Sequence, residues 1–508
     1  MRRATTSPVA AACCVAAACV LVAATAGPAG AGTSARSADA PGATALVWMP
    51  CGGGFECTTL RVPVDYADGG GETLPMAVTR RVADDPARRI GSLVLNFGGP
   101  GDPGTSTLRS AVRTIPPDIR SRFDLVSFDP RGSGRSRPVD CIDDATFARA
   151  WADDRTPDTA ADLPRFYDGT AFSVDLVGDC VSRFGTWLAH LGTRNVARDL
   201  EQLRAALGEP KLTFLGYSYG TVIGAVYAQA FPDHVRALVL DSAVDLSSSM
   251  AVQLRANAAG FERALKEFVD DCRAHDGCAF RPGVDPGRAL DDLRVRLESG
   301  ARIDTADGRT VGSTELYVAL LAALYSPDVW PFLAESLQQA TADGDATGLE
   351  VLSDSYAGRR GDGTYSNYQE VLGVIVCDDQ PEPLVSFESF RASYASFARD
   401  YPFFGPLLAG SPLGCDPRLP PPRADEVVGD VRTNRAPPIL VIGTTRDPAT
   451  PYRGAVDLRR RLGGSRLLTV DDTRHGTYAT GNLCVDRIVD RYLVTRRVPR
   501  VGARCSAA

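Results

Sequence analysis

The segment Leu212-Thr-Phe-Leu-Gly-Tyr-Ser-Tyr-Gly-Thr221 places a Gly-x-Ser-x-Gly motif between two elements of predicted secondary structure. The short apolar run 212–215 is typical of a buried strand, and residues 221–231 follow a helical pattern. Glycines on both sides of Ser218 permit a tight turn that exposes the serine hydroxyl beside a helix N terminus. Because the motif lies between a strand and a helix, it indicates a nucleophilic serine rather than a chance Gly-Ser-Gly turn.

Apolar runs alternate with helical patterns on both sides of this motif. Residues 92–97, 123–128 and 235–240 are short runs of the kind that form buried parallel strands, and residues 195–207 predict an amphipathic helix. Strands that alternate with helices indicate a parallel sheet with helices on both faces. We therefore predict an α/β fold with a mostly parallel central sheet.

The pattern changes in the second half of the chain. Helical segments interrupted by Gly, Pro and Asp follow one another through 246–435, and strand-like runs return at 438–443 and 465–470. We therefore predict a core formed by residues 44–245 and 436–508, with residues 246–435 inserted as a helical cap. The cap helices are predicted at 252–273, 286–298, 313–324 and 331–341.

A serine nucleophile needs a general base, and the sequence contains four histidines. His475 lies in a polar loop beside a glycine, directly after the strand-like run that ends at Val470. His190, His234 and His275 are expected to be surface or packing residues. We predict that His475 is the base.

The acid that orients this base should lie between the serine and the histidine in the chain, in a loop after a strand. Asp447 occupies that position. Asp471 and Asp472 are rivals, but they share the loop of His475, where a solvated turn is the simpler interpretation. The predicted catalytic triad is Ser218, Asp447 and His475.

A glycine-rich turn, Asn96-Phe-Gly-Gly-Pro-Gly101, follows another predicted strand. Its backbone N–H at Gly99, together with that of Tyr219, is suited to stabilise an oxyanion. A phosphate-binding loop is the alternative, but no Gly-Lys-Ser/Thr sequence follows, and Pro100 and Pro103 interrupt a dinucleotide-binding pattern. We predict no cofactor and no metal.

Several motifs in this order resemble one known family. They are Gly98-Gly-Pro-Gly101, Asp129-Pro-Arg-Gly-Ser-Gly-Arg-Ser136, Gly216-Tyr-Ser-Tyr-Gly220, Arg446-Asp-Pro-Ala-Thr-Pro451, and the C-terminal Cys484 and Cys505. The chain resembles the secreted tripeptidyl aminopeptidases of high-GC Gram-positive bacteria, which are relatives of prolyl aminopeptidase. The resemblance implies an α/β-hydrolase fold and a serine exopeptidase that removes short peptides from free N termini. It also implies the triad and the oxyanion donors named above.

An aminopeptidase must recognise a protonated amine, which calls for a carboxylate in the pocket. Asp378 and Asp379, after the apolar run 371–377, are the candidates, with a solvated turn beside a disulfide as the alternative. The sequence departs from the usual family pattern at Phe97, where relatives often carry Pro or His, and at Asp102-Pro-Gly104, where they usually carry Gly-Ser-Gly. Both departures are expected to reshape the mouth of the pocket.

The N terminus has the pattern of a secretory signal peptide over residues 1–31. Two arginines precede an apolar run at 9–24, and small residues end in Ala29-Gly-Ala31. A membrane anchor is the alternative, but the run is rich in alanine and shorter than the roughly 20 apolar residues that a spanning helix needs. Residues 32–43 are expected to be a flexible leader or a short propeptide.

Ten cysteines remain after the predicted cleavage, as expected for disulfides in an oxidising compartment. Because no Cys-x-x-Cys pair is present, a structural zinc site is disfavoured. We predict nearest-neighbour pairing, although the sequence alone leaves other pairings open. The predicted pairs are Cys51 with Cys57, Cys141 with Cys180, Cys272 with Cys278, Cys377 with Cys415, and Cys484 with Cys505.

Charge and composition restrict the function further. The 508 residues carry a net charge of -7 and no block of like charges, which argues against a nucleic-acid or membrane-surface partner. We predict a monomer that acts on peptides outside the cell or in its envelope. The alternatives are an envelope carboxylesterase or lipase-like hydrolase with the same triad, and a noncatalytic binding module on a hydrolase scaffold.

Overall fold

The structure is a computed structural model that describes residues 46–68, 71–157, 160–246, 248–275, 278–281, 283–410 and 414–507. The predicted signal peptide at 1–31 and the leader at 32–43 lie outside the described residues. Across the described part of the chain, no helix has the length and apolar character needed to cross a membrane.

A ten-stranded sheet forms the centre of the described chain. In chain order its strands are β1 Met49–Pro50, β2 Glu56–Pro63, β3 Thr73–Arg81, β4 Gly91–Asn96, β5 Phe123–Phe128, β6 Leu212–Tyr217, β7 Val235–Asp241, β10 Leu440–Thr444, β11 Arg466–Asp471 and β12 Arg504–Ser506. Strands β8 Ile303–Asp304 and β9 Thr310–Val311 form a separate hairpin.

The strand order across the large sheet is β1-β2-β3-β5-β4-β6-β7-β10-β11-β12. Pairing is antiparallel from β1 to β5 and parallel from β5 to β12. Strands β4, β5 and β10 are buried along their whole length, and each is centred on apolar residues. The predicted α/β fold with a mostly parallel sheet is confirmed.

Seventeen α-helices accompany the sheet in the described residues. They are α1 Gly104–Ala111, α2 Pro117–Arg122, α3 Asp144–Trp151, α4 Leu163–Tyr167, α5 Leu176–Phe184, α6 Thr193–Ala206, α7 Gly220–Ala230, α8 Met250–Ala274, α9 Pro286–Glu298, α10 Ser313–Leu324, α11 Trp330–Gln338, α12 Thr347–Ala357, α13 Tyr368–Asp379, α14 Phe387–Asp400, α15 Gly405–Ala409, α16 Tyr452–Arg461 and α17 Leu483–Thr495.

Both faces of the sheet are covered by helices. One hydrophobic cluster joins Val94 of β4 to α6, α7 and α16. A second cluster joins Leu93 and Leu95 of the same strand to α1, α2 and α17 on the other face. Neighbouring residues of β4 therefore enter opposite clusters, as the two-residue period of a strand requires.

Helices α8 to α15 lie between β7 and β10, and many of them share a hydrophobic cluster of their own. Helices α3 to α5, which lie between β5 and α6 in the chain, contact this group. Thr314 Oγ1 donates to the Asp153 carbonyl at 2.6 Å, and Trp151 Nε1 donates to Ser353 Oγ at 3.3 Å. Helix α13 differs from its neighbours because Val371 belongs to the cluster on the sheet. Helices α3 to α5 thus contact the helices of the predicted cap at 246–435 from an earlier part of the chain.

The described residues contain five disulfides, and they are the pairs predicted from the sequence. They join Cys51 to Cys57, Cys141 to Cys180, Cys272 to Cys278, Cys377 to Cys415 and Cys484 to Cys505.

Candidate active site

Ser218 occupies the sharp turn between β6 and α7. Its φ of +51° lies in the left-handed region, which is costly for a residue with a side chain, and its N–H donates to the Asp241 carbonyl at 2.9 Å. The flanking glycines are required by close approach: a Cβ on Gly216 would lie 2.3 Å from the Gly220 carbonyl oxygen. The turn therefore has the strained strand-to-helix geometry of a nucleophile elbow.

His475 and Asp447 are held together in the loops that follow β11 and β10. His475 Nδ1 lies 2.9 Å from Asp447 Oδ1 and 3.0 Å from Oδ2. The backbone N–H groups of Ala449 and Thr450 donate to Asp447 Oδ1, and the Thr450 hydroxyl donates to Oδ2. The carboxylate is thus fixed by three donors while it faces the imidazole.

The charge of Asp447 sets the titration of the histidine. Burial lowers the pKa of His475, but the Asp447 charge and its hydrogen bond outweigh burial, and the pKa is raised above its usual value of 6.5. The rival carboxylates do not contact the imidazole. Asp471 accepts from Thr445 Oγ1 and pairs with Arg446, both at the surface.

A buried carboxylate, Asp241, anchors the histidine loop and was not predicted from the sequence. Asp241 ends β7, and its Oδ2 accepts from the N–H groups of Thr477 at 2.9 Å and Tyr478 at 2.8 Å. On the cap side, the His475 N–H donates to the Tyr325 carbonyl at 2.8 Å, and the two rings meet edge to face. Core and cap therefore hold the histidine loop from both sides.

The expected oxyanion donors lie on the two loops nearest the serine. Gly98 and Gly99 have φ of +104° and +103°, a conformation that glycine adopts without strain. A Cβ on Gly98 would lie 3.0 Å from Ser218 Cβ and 3.1 Å from Tyr219 N, so the glycine-rich loop is in close contact with the elbow. Gly99 lines the same cavity as Ser218, whereas Tyr219 begins the turn into α7.

Asp378 and Asp379 do not have the placement that we expected of an amine site. Both are buried, at 3% and 4% exposure, and neither is among the residues that line the cavity of Ser218. Asp378 accepts from the Leu191 N–H at 2.9 Å, Asp379 from the Thr193 N–H at 2.6 Å, and Asp379 also accepts from the Tyr219 hydroxyl. They bind the start of α6 and hold the Tyr219 side chain instead of facing substrate.

Ser218 and His475 open into one cavity of about 510 Å³. The core contributes the glycine-rich loop and α1, and the cap contributes Tyr325, Tyr356 and Tyr368. Within the described residues, one group of possible metal ligands, Asp65, His190 and Glu426, brings donor atoms within 4.8 Å of one another. None of these three lines the cavity of Ser218.

Comparison with known proteins places this arrangement in a family. Residues 91–282 match the model of the alpha/beta hydrolase fold, and residues 401–505 match that of the TAP-like proteins. The chain is 36% identical to serine protease Hip1 of Mycobacterium tuberculosis, over 93% of both chains.

Two further relatives cover most of the chain. Tripeptidyl aminopeptidase of Streptomyces lividans is 33% identical over 89% of this chain and 84% of its own length. Carboxylesterase B of M. tuberculosis is 34% identical, over 89% and 86%. The chain belongs to the family of α/β-hydrolases that contains the Streptomyces tripeptidyl aminopeptidase and Hip1, and it is a serine hydrolase.

Proposed function

We propose that the protein is a secreted serine exopeptidase that releases short peptides, in the simplest case tripeptides, from free N termini. The observation that carries the proposal is that Ser218 and His475, which is paired with Asp447, line one cavity to which the cap also contributes. The Streptomyces relative named tripeptidyl aminopeptidase supports the choice of reaction.

In the proposed mechanism, His475 takes the proton of the Ser218 hydroxyl as Ser218 Oγ attacks the scissile carbonyl. The Nδ1 contact with Asp447 orients the imidazole so that Nε2 serves as the base. The backbone N–H groups of Gly99 and Tyr219 are proposed to stabilise the oxyanion, at about 2.7–4 kcal/mol for each donor. His475 then protonates the leaving amine, and water releases the peptide from the acyl-enzyme.

The size of the cavity supports an exopeptidase. Its volume of about 510 Å³ is that of a small-ligand site, which accommodates a few residues of peptide. Three cap tyrosines also line it, and a folded protein would not fit into a volume of this size. Short peptides and chain ends are therefore the proposed substrates.

Three matched substrates test the proposal. The mature protein is incubated with Ala-Ala-Ala-p-nitroanilide, its N-acetyl form and p-nitrophenyl butyrate, and kcat/KM is measured for each. We expect strong preference for the free tripeptide. Equal cleavage of the free and acetylated anilides, or cleavage of the ester alone, would contradict an aminopeptidase.

A carboxylesterase is the second candidate. The relative named carboxylesterase B favours it, and the triad does not distinguish the two reactions because amide and ester hydrolysis pass through the same tetrahedral oxyanion. The ester in the experiment above separates them.

We also propose that the protein acts as a monomer outside the cell or in its envelope. Five disulfides suit an oxidising compartment. N-terminal sequencing of protein from the culture medium tests this, and we expect an N terminus after Ala31 or within 32–43. An intact N terminus on cell-retained protein would contradict it.

A further inference from the structure

One carboxylate in the active-site cavity has an unused acceptor. Asp102 lies on the loop between β4 and α1, three residues after Gly99, and lines the cavity of Ser218. Its Oδ1 accepts a hydrogen bond from Thr107 Oγ1 at 3.0 Å. Its Oδ2 is buried and has no hydrogen-bond partner among the described residues. A buried carboxylate oxygen without a donor costs free energy, so this position calls for a ligand.

The other acidic residue on the cavity wall is already neutralised. Both terminal nitrogens of Arg474 donate hydrogen bonds to the Asp328 carboxylate, at 2.5 and 2.9 Å. Arg359 also lines the cavity, but its ion pair is with Asp354, 3.6 Å away, a residue outside the cavity lining. Among the described lining residues, Asp102 is therefore the carboxylate that has no cation beside it.

The environment of Asp102 disfavours its negative charge. Burial raises the pKa of Asp102 to about 7; the Thr107 hydrogen bond opposes this shift and the nearby charge of Asp129 adds to it. A bound cation would reverse this balance, because an opposite charge at hydrogen-bond distance stabilises the ionised form.

We propose that Asp102 binds an ammonium group of the substrate and is thereby a specificity-determining residue. The inference rests on the proposed function, in which the substrate carries a free N terminus. The proposed amine site thus lies on the loop that carries Gly99 and not at Asp378 and Asp379. Tyr368 faces this loop from the cap, since a Cβ on Gly99 would lie 2.9 Å from its ring. The ammonium group would belong to the N terminus or to a lysine beside the cleaved bond.

Three anilides distinguish these two sources. Ala-Ala-Ala-p-nitroanilide carries only the N-terminal ammonium, acetyl-Ala-Ala-Lys-p-nitroanilide carries only the side-chain ammonium, and acetyl-Ala-Ala-Ala-p-nitroanilide carries neither. In Asp102→Asn we expect kcat/KM to fall at least about tenfold for one of the two cationic substrates, mainly through KM, because a charge-assisted hydrogen bond is lost. The neutral substrate should change little, and the substrate that loses most identifies the source.

Asp328→Asn is the matched control, because it removes the other carboxylate of the cavity wall, and it should leave the ratio of cationic to neutral substrates unchanged. Fluorophosphonate labelling of Asp102→Asn at the wild-type rate shows that the triad is intact. Equal loss on all three anilides, or no loss on any, would overturn the proposal.

A failure of the proposed function gives a different result. If the wild type hydrolyses only esters, the same variant is tested on p-nitrophenyl 4-aminobutyrate and p-nitrophenyl butyrate. Selective loss of the ammonium-bearing ester supports the role of Asp102 even though the aminopeptidase proposal has failed. Loss that is equal on both esters, or no loss, overturns the role as well.

Discussion

The two walls of the active-site cavity are constructed differently. On the core wall, Ser218 and His475 follow the carboxyl ends of β6 and β11. The buried Asp447, which contacts His475, follows β10, and all three strands belong to the parallel part of the sheet. On the cap wall, the lining side chains come from the ends of helices and the segments between them, as Tyr325 and Tyr368 do.

The difference lies in how each wall is fixed. Core groups are held by short polar contacts, such as the N–H groups of Ala449 and Thr450 on Asp447. The cap is held mainly by hydrophobic packing among its helices. Strand ends give the fixed geometry that covalent catalysis needs, whereas packed helices tolerate changes of shape. We therefore expect substitutions of the groups at the strand ends to affect kcat. Substitutions in the cap, and of Asp102 on the glycine-rich loop, should affect substrate choice.

The largest effect is expected at the nucleophile. Ser218→Ala removes the atom that forms the acyl-enzyme, and kcat should fall by about 10⁴-fold or more. Steady-state turnover of the preferred anilide measures this, and an unchanged melting temperature shows that the variant is folded. Substantial turnover would show that Ser218 is not the nucleophile.

A slightly smaller effect is expected at the acid. Asp447→Asn leaves the shape of the loop but presents an amide to His475 Nδ1, which disturbs the tautomer that the base requires. We expect kcat to fall by about 10³- to 10⁴-fold. Asp471→Asn is the control, because that carboxylate lies at the surface, bonded to Thr445. Equal effects of the two substitutions would contradict the assignment.

The pH profile should report the same pair. The pKa of His475 is raised above 6.5, and the base must be neutral, so wild-type kcat/KM should decline as the pH falls through a value above 6.5. Asp447→Asn removes the larger of the two charges that raise this pKa. Burial, which lowers the pKa, then acts against the weaker effect of Asp241 alone. The acid limb of the residual activity, followed with a neutral substrate, should move to lower pH. A shift to higher pH would show that Asp447 does not set this titration.

A moderate effect is expected at the anchor of the histidine loop. Asp241→Asn weakens the two backbone hydrogen bonds that Thr477 and Tyr478 donate. Loss of a hydrogen bond to a charged group costs free energy that corresponds to about a 10- to 100-fold change in a rate or equilibrium constant. We expect kcat to fall by this factor, with a lower melting temperature and little change in KM. A change confined to KM would place Asp241 on the substrate side of the cavity.

The smallest effect on chemistry is expected on the cap. Tyr356→Ala enlarges the cavity. It should raise KM for the tripeptide anilide about three- to tenfold, because the substrate loses packing contact with the ring. Hydrolysis of p-nitrophenyl acetate, which is too small to fill the cavity, should stay close to the wild-type rate. An equal loss on both substrates would show that the cap takes part in the chemistry.

The same division explains what the sequence could predict. Strands β4 to β7, β10 and β11 were predicted because each is a short apolar run, and the triad candidates follow such runs. Strands β2 and β3 were not assigned; β2 in particular has no clear apolar period, with one fully buried residue in its eight. Helices α3 to α5 were not predicted either; α4, for example, has only five residues.

The roles of single acidic residues depend on contacts that are remote in the sequence. The local sequence pattern favours Asp378 and Asp379 as an amine site, but their N–H partners lie 187 and 186 residues away. Asp241 had one local signal, a polar residue at the end of a buried strand, yet its partner Thr477 is 236 residues away. Only the folded chain shows which carboxylates cap backbone groups and which face the cavity.

Mapping of the covalent adduct tests the central claim most directly. The wild-type protein, Ser218→Ala and His475→Ala are treated with a fluorophosphonate, digested and analysed by mass spectrometry. We expect one adduct, on the peptide that contains Ser218, with much slower formation in His475→Ala and none in Ser218→Ala. An adduct on another serine, or equal labelling of all three proteins, would contradict a nucleophile at the end of β6 that is activated from the ends of β10 and β11.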